Sequence, residues 1–286
     1  MEKIFSMILS GGGAKGAYQV GAFKALSEYD IKIKNVSGSS IGGINALAYA
    51  LLSLEEIENL WKNFKFDDFI NLDDDDLTNG ISDRSSLEII LNKIITEEKL
   101  KNSIPIFNTI CINEYLPEYK LLNNKTKEEA IKILLATSAL PVIYSKVNIN
   151  NTLYQDGGLA DNLPVTPLYN NGERNFITIS MSDKLRINKL KFDTNNLIEI
   201  YPTYNLGDLI DGTLNFNQQY ISFAMKLGYS DTKRVLNNYY GISNGIHTPE
   251  YDLNTIKQEL KVEKIEKDIN KNMDYIKNLD NLYKNF

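Results

Sequence analysis

Gly11-Gly12-Gly13-Ala14-Lys15-Gly16 follows the apolar run Ile4-Phe5-Ser6-Met7-Ile8-Leu9, and Gly38-Ser39-Ser40-Ile41-Gly42 follows Ile31 to Ser37. Both glycine turns fall where a short strand hands over to a helix. Residues 4–10 and 32–37 read as strands. Residues 14–29 and 41–53 read as helices, because Val20, Phe23 and Leu26 recur three apart and Ile44, Leu47, Ala48 and Leu51 form a second apolar stripe. Two strand–turn–helix units in succession predict a layered α/β fold. Gly42, Gly43 and Ala46 keep the early turns of the second helix small, which suits close approach to neighbouring backbone.

Outward from these turns the alternation continues. Residues 104–113 read as a buried strand and 127–139 as a helix that stops at Pro141. Val147 to Tyr154 reads as a hairpin around Asn150-Asn151 and leads into Asp156-Gly157-Gly158. A short helix after Pro164 and a strand at 175–180 complete the α/β part. Ser85-Ser86-Leu87-Glu88 reads as a capping box opening a helix through Ile95. The run Asp73-Asp74-Asp75-Asp76 fails as a calcium loop, since Leu77 would fall at a ligand position; it reads as a solvated acidic loop. Residues 193–250 are rich in Asn, Tyr and Gly, and only Phe216 to Leu227 reads as helical. From Tyr251 onward Leu253, Ile256, Leu260, Ile265, Ile269, Ile276 and Leu279 recur at helical steps, which predicts a helical extension packed on the body. Its mixed charge makes it a poor membrane-surface helix.

The bulk numbers narrow the classes. A chain of 286 residues with 43% hydrophobic and 24% charged residues has the balance of one large soluble domain. A net charge of −6 without a basic block argues against nucleic acid as a partner. One cysteine allows no internal disulfide, and Cys111 reads as a small buried hydrophobe. One histidine and one cysteine also remove the usual zinc sites, so no metal is expected. The sequence has no membrane-spanning stretch and no signal-peptide core, and the expected setting is cytoplasmic, or export without a cleaved leader.

Acyl transfer needs a nucleophile held on a tight turn and backbone N–H groups aimed at the oxyanion. The first turn has several readings. Gly11-x-Gly13-x-x-Gly16 satisfies the dinucleotide pattern, but Lys34-Asn35-Val36-Ser37-Gly38 lacks the acid that would hold a ribose. A nucleotide phosphate loop fails because Ala17-Tyr18 follows Gly16. A purely structural turn stays open, although three successive glycines exceed its needs. As an oxyanion hole, Gly11, Gly12 and Gly13 would leave their N–H groups uncovered, and the helix that follows would add its dipole. Lys15 can neutralise a carboxylate, steady the loop or face a lipid phosphate, and the sequence does not choose.

In the second turn Ser40 is the central serine of Gly38-x-Ser40-x-Gly42, the pattern of a nucleophile elbow. Its base has two candidates. Ser40, Asp156 and His247 follow the chain order of α/β-hydrolase triads. Against that order, the elbow here comes after only the second strand, and His247 lies in the polar stretch 241–249. Asp156 is the other candidate, held by Gly157 and Gly158 at a sharp turn. A carboxylate acting directly on serine needs partial desolvation and a short hydrogen bond. A non-catalytic lipid- or nucleotide-binding module of the same fold is the alternative from another class.

Together these residues resemble the patatin-like phospholipases of bacterial type. The likeness lies in three ordered blocks, Gly11 to Gly16, Gly38 to Gly42, and Asp156-Gly157-Gly158, with Ala136-Thr137-Ser138-Ala139-Leu140-Pro141 and Asn162-Leu163-Pro164-Val165 as matching flanks. It covers about residues 4–182. The resemblance implies a three-layer α/β/α sandwich with a mostly parallel central sheet, forming a catalytic domain over 1–250; the helical C-terminal extension over 251–286 is expected from its own periodicity. It implies Ser40 as nucleophile, Asp156 as base, and Gly11, Gly12 and Gly13 as the oxyanion hole, supported by Lys15 and Gly16. Lys15 stands where many members carry arginine, a variant that the family accepts. The implied substrates are phospholipids or other acyl lipids at a membrane surface, with no cofactor. Gating by a partner, a small molecule or oligomerisation is a further expectation.

Overall fold

The computed structural model of the protein describes residues 4–63, 84–113, 115–141, 143–242 and 248–264. The chain divides into two compact units, Met1–Gly245 and Ile246–Phe286. In the second, the described residues form a helix over 249–264. The acidic run Asp73 to Asp76, His247, and the extension from residue 265 lie outside the described residues.

In the first unit, β1 (Ile4–Leu9), α1 (Ala17–Ser27), β2 (Lys32–Ser39) and α2 (Ile41–Leu51) form the two strand–turn–helix units. Then come α3 (Leu54–Asn63), α4 (Ser85–Ile94), α5 (Glu97–Asn102), β3 (Ile106–Cys111), β4 (Pro117–Leu121) and α6 (Lys127–Thr137). The unit closes with β5 (Val147–Ile149), β6 (Thr152–Asp156), α7 (Thr166–Asn170), β7 (Asn175–Ile179), β8 (Asn196–Ile200) and α8 (Gln218–Tyr240). One eight-stranded sheet runs in the order β5-β6-β3-β2-β1-β7-β8, with β4 also paired to β3. Strands β3, β2, β1, β7 and β8 are parallel; β4, β5 and β6 add an antiparallel end.

β1 lies inside the sheet and is buried on both faces, which explains its unbroken apolar run. Its Ile8 packs with Leu163, Val165, Leu168, Phe176, Ile187 and Phe192. Phe5, on the opposite face, meets the Tyr239 ring of α8 edge-on at 6.4 Å. Helices α1 and α8 touch backbone to backbone. A Cβ at Gly21 would run into the Met225 carbonyl oxygen, and one at Gly228 into that of Tyr18.

The hairpin joining β5 and β6 turns at Asn150 (φ 51°) and Asn151 (φ 64°), two left-handed residues of the kind that tight hairpins require. The expected capping box at Ser85 does not form. Arg84 is the N-cap of α4 and Ser85 is already its first helical residue, one place too late to cap. The reciprocal box occurs instead at α6, between Thr126 and Glu129. Elements α3, α5, β4 and β8 were not expected, and α8 runs well past the predicted Leu227. Among the described residues, no helix is long and apolar enough to cross a membrane.

Candidate active site

Register along three strands brings the sequence motifs together. β1 and β2 are parallel neighbours with Leu9 opposite Gly38, so the glycine loop and the serine turn leave the sheet at the same end. Ser39 pairs with Thr109 of β3, and the next residue, Ile110, pairs with Asp156 of β6. The other edge of β3 is filled at both positions by β4, through Tyr119 and Glu118. Thus β6 takes up the edge that β2 vacates, and Asp156 arrives beside Ser40.

Ser40 sits between β2 and α2 at φ 54° and ψ −132°, a backbone region that costs a non-glycine residue about 1–3 kcal/mol. The neighbouring glycines permit the turn sterically. A Cβ at Gly38 would strike the Gly42 carbonyl, and one at Gly42 would strike the Leu9 and Ser10 carbonyls. Ser40 N–H donates to Thr137 Oγ1 at 3.0 Å, and the Thr137 hydroxyl donates to the Thr109 carbonyl. The elbow is therefore tied to α6 as well as to its own strand.

The Ser40 hydroxyl donates to Asp156 Oδ2 at 2.7 Å. Asp156 is 3% exposed, and its Oδ1 accepts the Gly158 N–H at 2.8 Å. Burial pushes its pKa up to about 6; the hydrogen bonds from Ser40 and Gly158, and then the positive charge of Arg84, oppose the rise. The result is a carboxylate that is ionised at neutral pH yet basic enough to accept a proton.

The glycine loop turns at Gly12 (φ 156°) and Gly13 (φ 57°), conformations that leave a side chain no comfortable place. Gly11 N–H donates to Asn162 Oδ1 at 2.8 Å and is not free for an oxyanion. The N–H groups of Gly12 and Gly13 have no acceptor among the described residues. A buried polar chain fixes both ends of the loop. Gln19 Nε2 donates to the Ser10 carbonyl at 2.9 Å, and Asn45 Nδ2 donates to the Gly16 carbonyl at 3.0 Å. Asn45 also donates to Gln19 Oε1 and accepts from Trp61 Nε1.

Ser40, Asp156, Gly11 to Gly13 and Lys15 all line one cleft of about 350 Å³. Leu140, Ile143, Leu185, Leu209 and Leu214 add apolar wall, a lining suited to a hydrocarbon chain. Burial lowers the pKa of Lys15, and the charge of Asp208 partly restores it. Gly157 packs against Thr109 with no room for a Cβ. His247 lies outside the described residues.

The sequence reading missed Asn162 and Arg84 as parts of the site. Arg84 donates to the carbonyls of Leu135 and Ser145 and lies 5.2 Å from the Tyr144 ring centroid, so it braces the cleft wall while facing Asp156 electrostatically. Arg84 carries no local motif. The Asn162-Leu163-Pro164-Val165 flank was the one available pointer.

The family model described as patatin-like phospholipase matches residues 7–169. Triacylglycerol lipase 5 of Saccharomyces cerevisiae is 31% identical over 152 residues, which are 52% of this chain and 19% of the yeast protein. Lysophospholipase NTE1 of Cryptococcus neoformans is 26% identical over 193 residues, covering 61% of this chain and 11% of that protein. The chain thus matches less than a fifth of the length of either relative. Among solved structures, VipD from Legionella pneumophila superposes with a TM-score of 0.59 at 13% identity, over 95% of this chain and 77% of VipD. That likeness concerns the fold.

Proposed function

The chain belongs to the patatin-like phospholipase family, and from that premise we propose that it hydrolyses fatty-acyl esters of lipids through Ser40 and Asp156. The observation that carries the proposal is the 2.7 Å hydrogen bond from Ser40 Oγ to Asp156 Oδ2, made in the cleft that Gly12 and Gly13 also line.

In this reading Asp156 accepts the Ser40 proton as Oγ attacks the acyl carbonyl. Negative charge develops on the carbonyl oxygen and is met by the N–H groups of Gly12 and Gly13. The intermediate collapses, and Asp156 returns the proton to the departing alcohol. Water then attacks acyl-Ser40 while Asp156 takes its proton, the acyl–Oγ bond breaks, Asp156 passes the proton to Ser40 Oγ, and the fatty acid leaves. The substrate is an acyl lipid presented at a lipid surface, with its hydrocarbon chain against Leu140, Ile143 and Leu185.

The test is hydrolysis of a phosphatidylcholine and lysophosphatidylcholine panel by the purified protein. Ser40→Ala and Asp156→Asn are each expected to lose about 1,000-fold or more in kcat/KM, with fatty acid as the product of the wild type. Full retained activity in either variant contradicts the reading.

A further inference from the structure

One side-chain oxygen touches both halves of the machinery. Asn162 Oδ1 accepts the Gly11 N–H at 2.8 Å, joining positions 151 residues apart. Gly11 has only a donor to offer there, so the acceptor end of the carboxamide must face it. On its other side the same oxygen lies 2.9 Å from where Gly158 would carry a Cβ, and the Gly158 N–H holds Asp156 Oδ1. A Cβ at Gly11 would stand 2.6 Å from Asn162 Oδ1 and 2.7 Å from Ser40 Cβ. The absent side chains of Gly11 and Gly158 are the space that Asn162 occupies.

We propose that Asn162 is a positioning residue for ester hydrolysis: its carboxamide holds the N–H of the Ser10–Gly11 peptide, the rigid plane from which the glycine loop departs, and so keeps the Gly12 and Gly13 N–H groups turned into the cleft beside Ser40. The inference rests on the hydrolytic reading above. A run of three glycines has wide backbone freedom, and a peptide flip would present a carbonyl oxygen to the developing oxyanion in place of an N–H. Gln19 and Asn45 hold the carbonyls at the two ends of the loop, Ser10 and Gly16. Asn162 holds the N–H of the same Ser10–Gly11 peptide whose carbonyl Gln19 holds, so that plane is fixed at both edges where the loop begins. The same carboxamide packs on the Gly157–Leu159 turn, so loop and base keep one relative position. Being uncharged, it does this without placing a second anion beside Asp156.

The experiment compares wild type with Asn162→Ala and with Asn162→Leu, which fills the volume without an acceptor. Active sites are counted by fluorophosphonate titration, so that misfolded protein does not enter the rates. The expected result is a fall of about 100-fold in kcat/KM, with KM within threefold. Affinity for a trifluoromethyl ketone lipid, which captures the Ser40 oxyanion as a hemiketal, should fall by the same factor. Binding of a non-hydrolysable ether lipid should be unchanged. Backbone hydrogen exchange at Gly11 should speed up at least tenfold in both variants. Rates within threefold of wild type, or a fall in kcat/KM with trifluoromethyl ketone affinity intact, overturn the proposal. Unchanged Gly11 exchange overturns it as well, whatever the rates. Failure of the hydrolytic reading looks different: wild type takes no fluorophosphonate on Ser40, and Gly11 exchange still decides whether Asn162 anchors the loop.

Discussion

Ser40 holds its strained conformation because its surroundings leave it no other, and Asp156 holds a raised pKa for the same reason, being 3% exposed. The pKa has two consequences at the residue scale. The acid limb of kcat/KM is expected to have its midpoint near pH 6, the value toward which burial pushes Asp156. A midpoint near 4 would contradict this. The second consequence concerns stability. The folded state binds this proton more tightly than the unfolded chain does, since the ordinary carboxyl value is 3.8. The stabilising contribution of protonated Asp156 is therefore full below pH 3.8 and is lost as pH rises through 6. The difference corresponds to about 3 kcal/mol. Urea unfolding should show Asp156→Asn gaining stability relative to wild type between pH 4 and 7, with no further gain above that. A difference independent of pH would refute the assignment. Ser40 and Asp156 were legible in the sequence because the turns that hold them demand glycine, and glycine punctuates a sequence visibly. Asn162 and Arg84 were not, since an asparagine or arginine that acts across the fold looks like any polar loop residue.

At the scale of elements, the helices that frame the site pack through missing side chains. α1 and α8 meet at Gly21 and Gly228, where added Cβ atoms would enter the carbonyls of Met225 and Tyr18. Gly228→Ala is expected to destabilise the protein by about 3 kcal/mol or more through overpacking against the Tyr18 carbonyl, read as a lower urea midpoint. Gly172→Ala supplies the contrast. Nothing lies within 4 Å of that position, so only its φ of 88° resists the substitution and the loss should be smaller. Equal losses would mean that α1 and α8 are not in backbone contact at Gly228. This packing also explains why α8 was half read. Its buried positions include Gly228, Asp231 and Thr232 among Ala224, Leu227 and Leu236, so the apolar period fades. The hairpin at Asn150-Asn151, by contrast, was legible from two residues that tolerate left-handed backbone.

For the whole of the first unit, the sheet is what converts three separated motifs into one cleft. Of the parallel strands, β1, β2, β3 and β7 were legible from their apolar runs, the first two also from the glycine turns that follow them. The antiparallel end was read only as far as the β5–β6 hairpin. β4 is half-exposed along its length, and β8 is only partly buried, so neither presents a continuous apolar run. A buried clamp closes the far side. Asp231 accepts hydrogen bonds from Tyr18 (3.1 Å), from both the N–H and the hydroxyl of Thr203, and from Arg234 (2.7 Å). Asp231→Ala strands these donors and should cost about 3 kcal/mol or more, seen as a drop in thermal midpoint. A change under about 0.5 kcal/mol would show that the clamp is dispensable.

The direct pairing of Ser40 with Asp156 is tested most sharply by the rate of fluorophosphonate labelling, which needs only an activated serine. Wild type and His247→Ala should label Ser40 stoichiometrically at the same rate, while Asp156→Asn should label at least 100-fold more slowly. If His247→Ala were the slow variant and Asp156→Asn kept the wild-type rate, the carboxylate would not be the base.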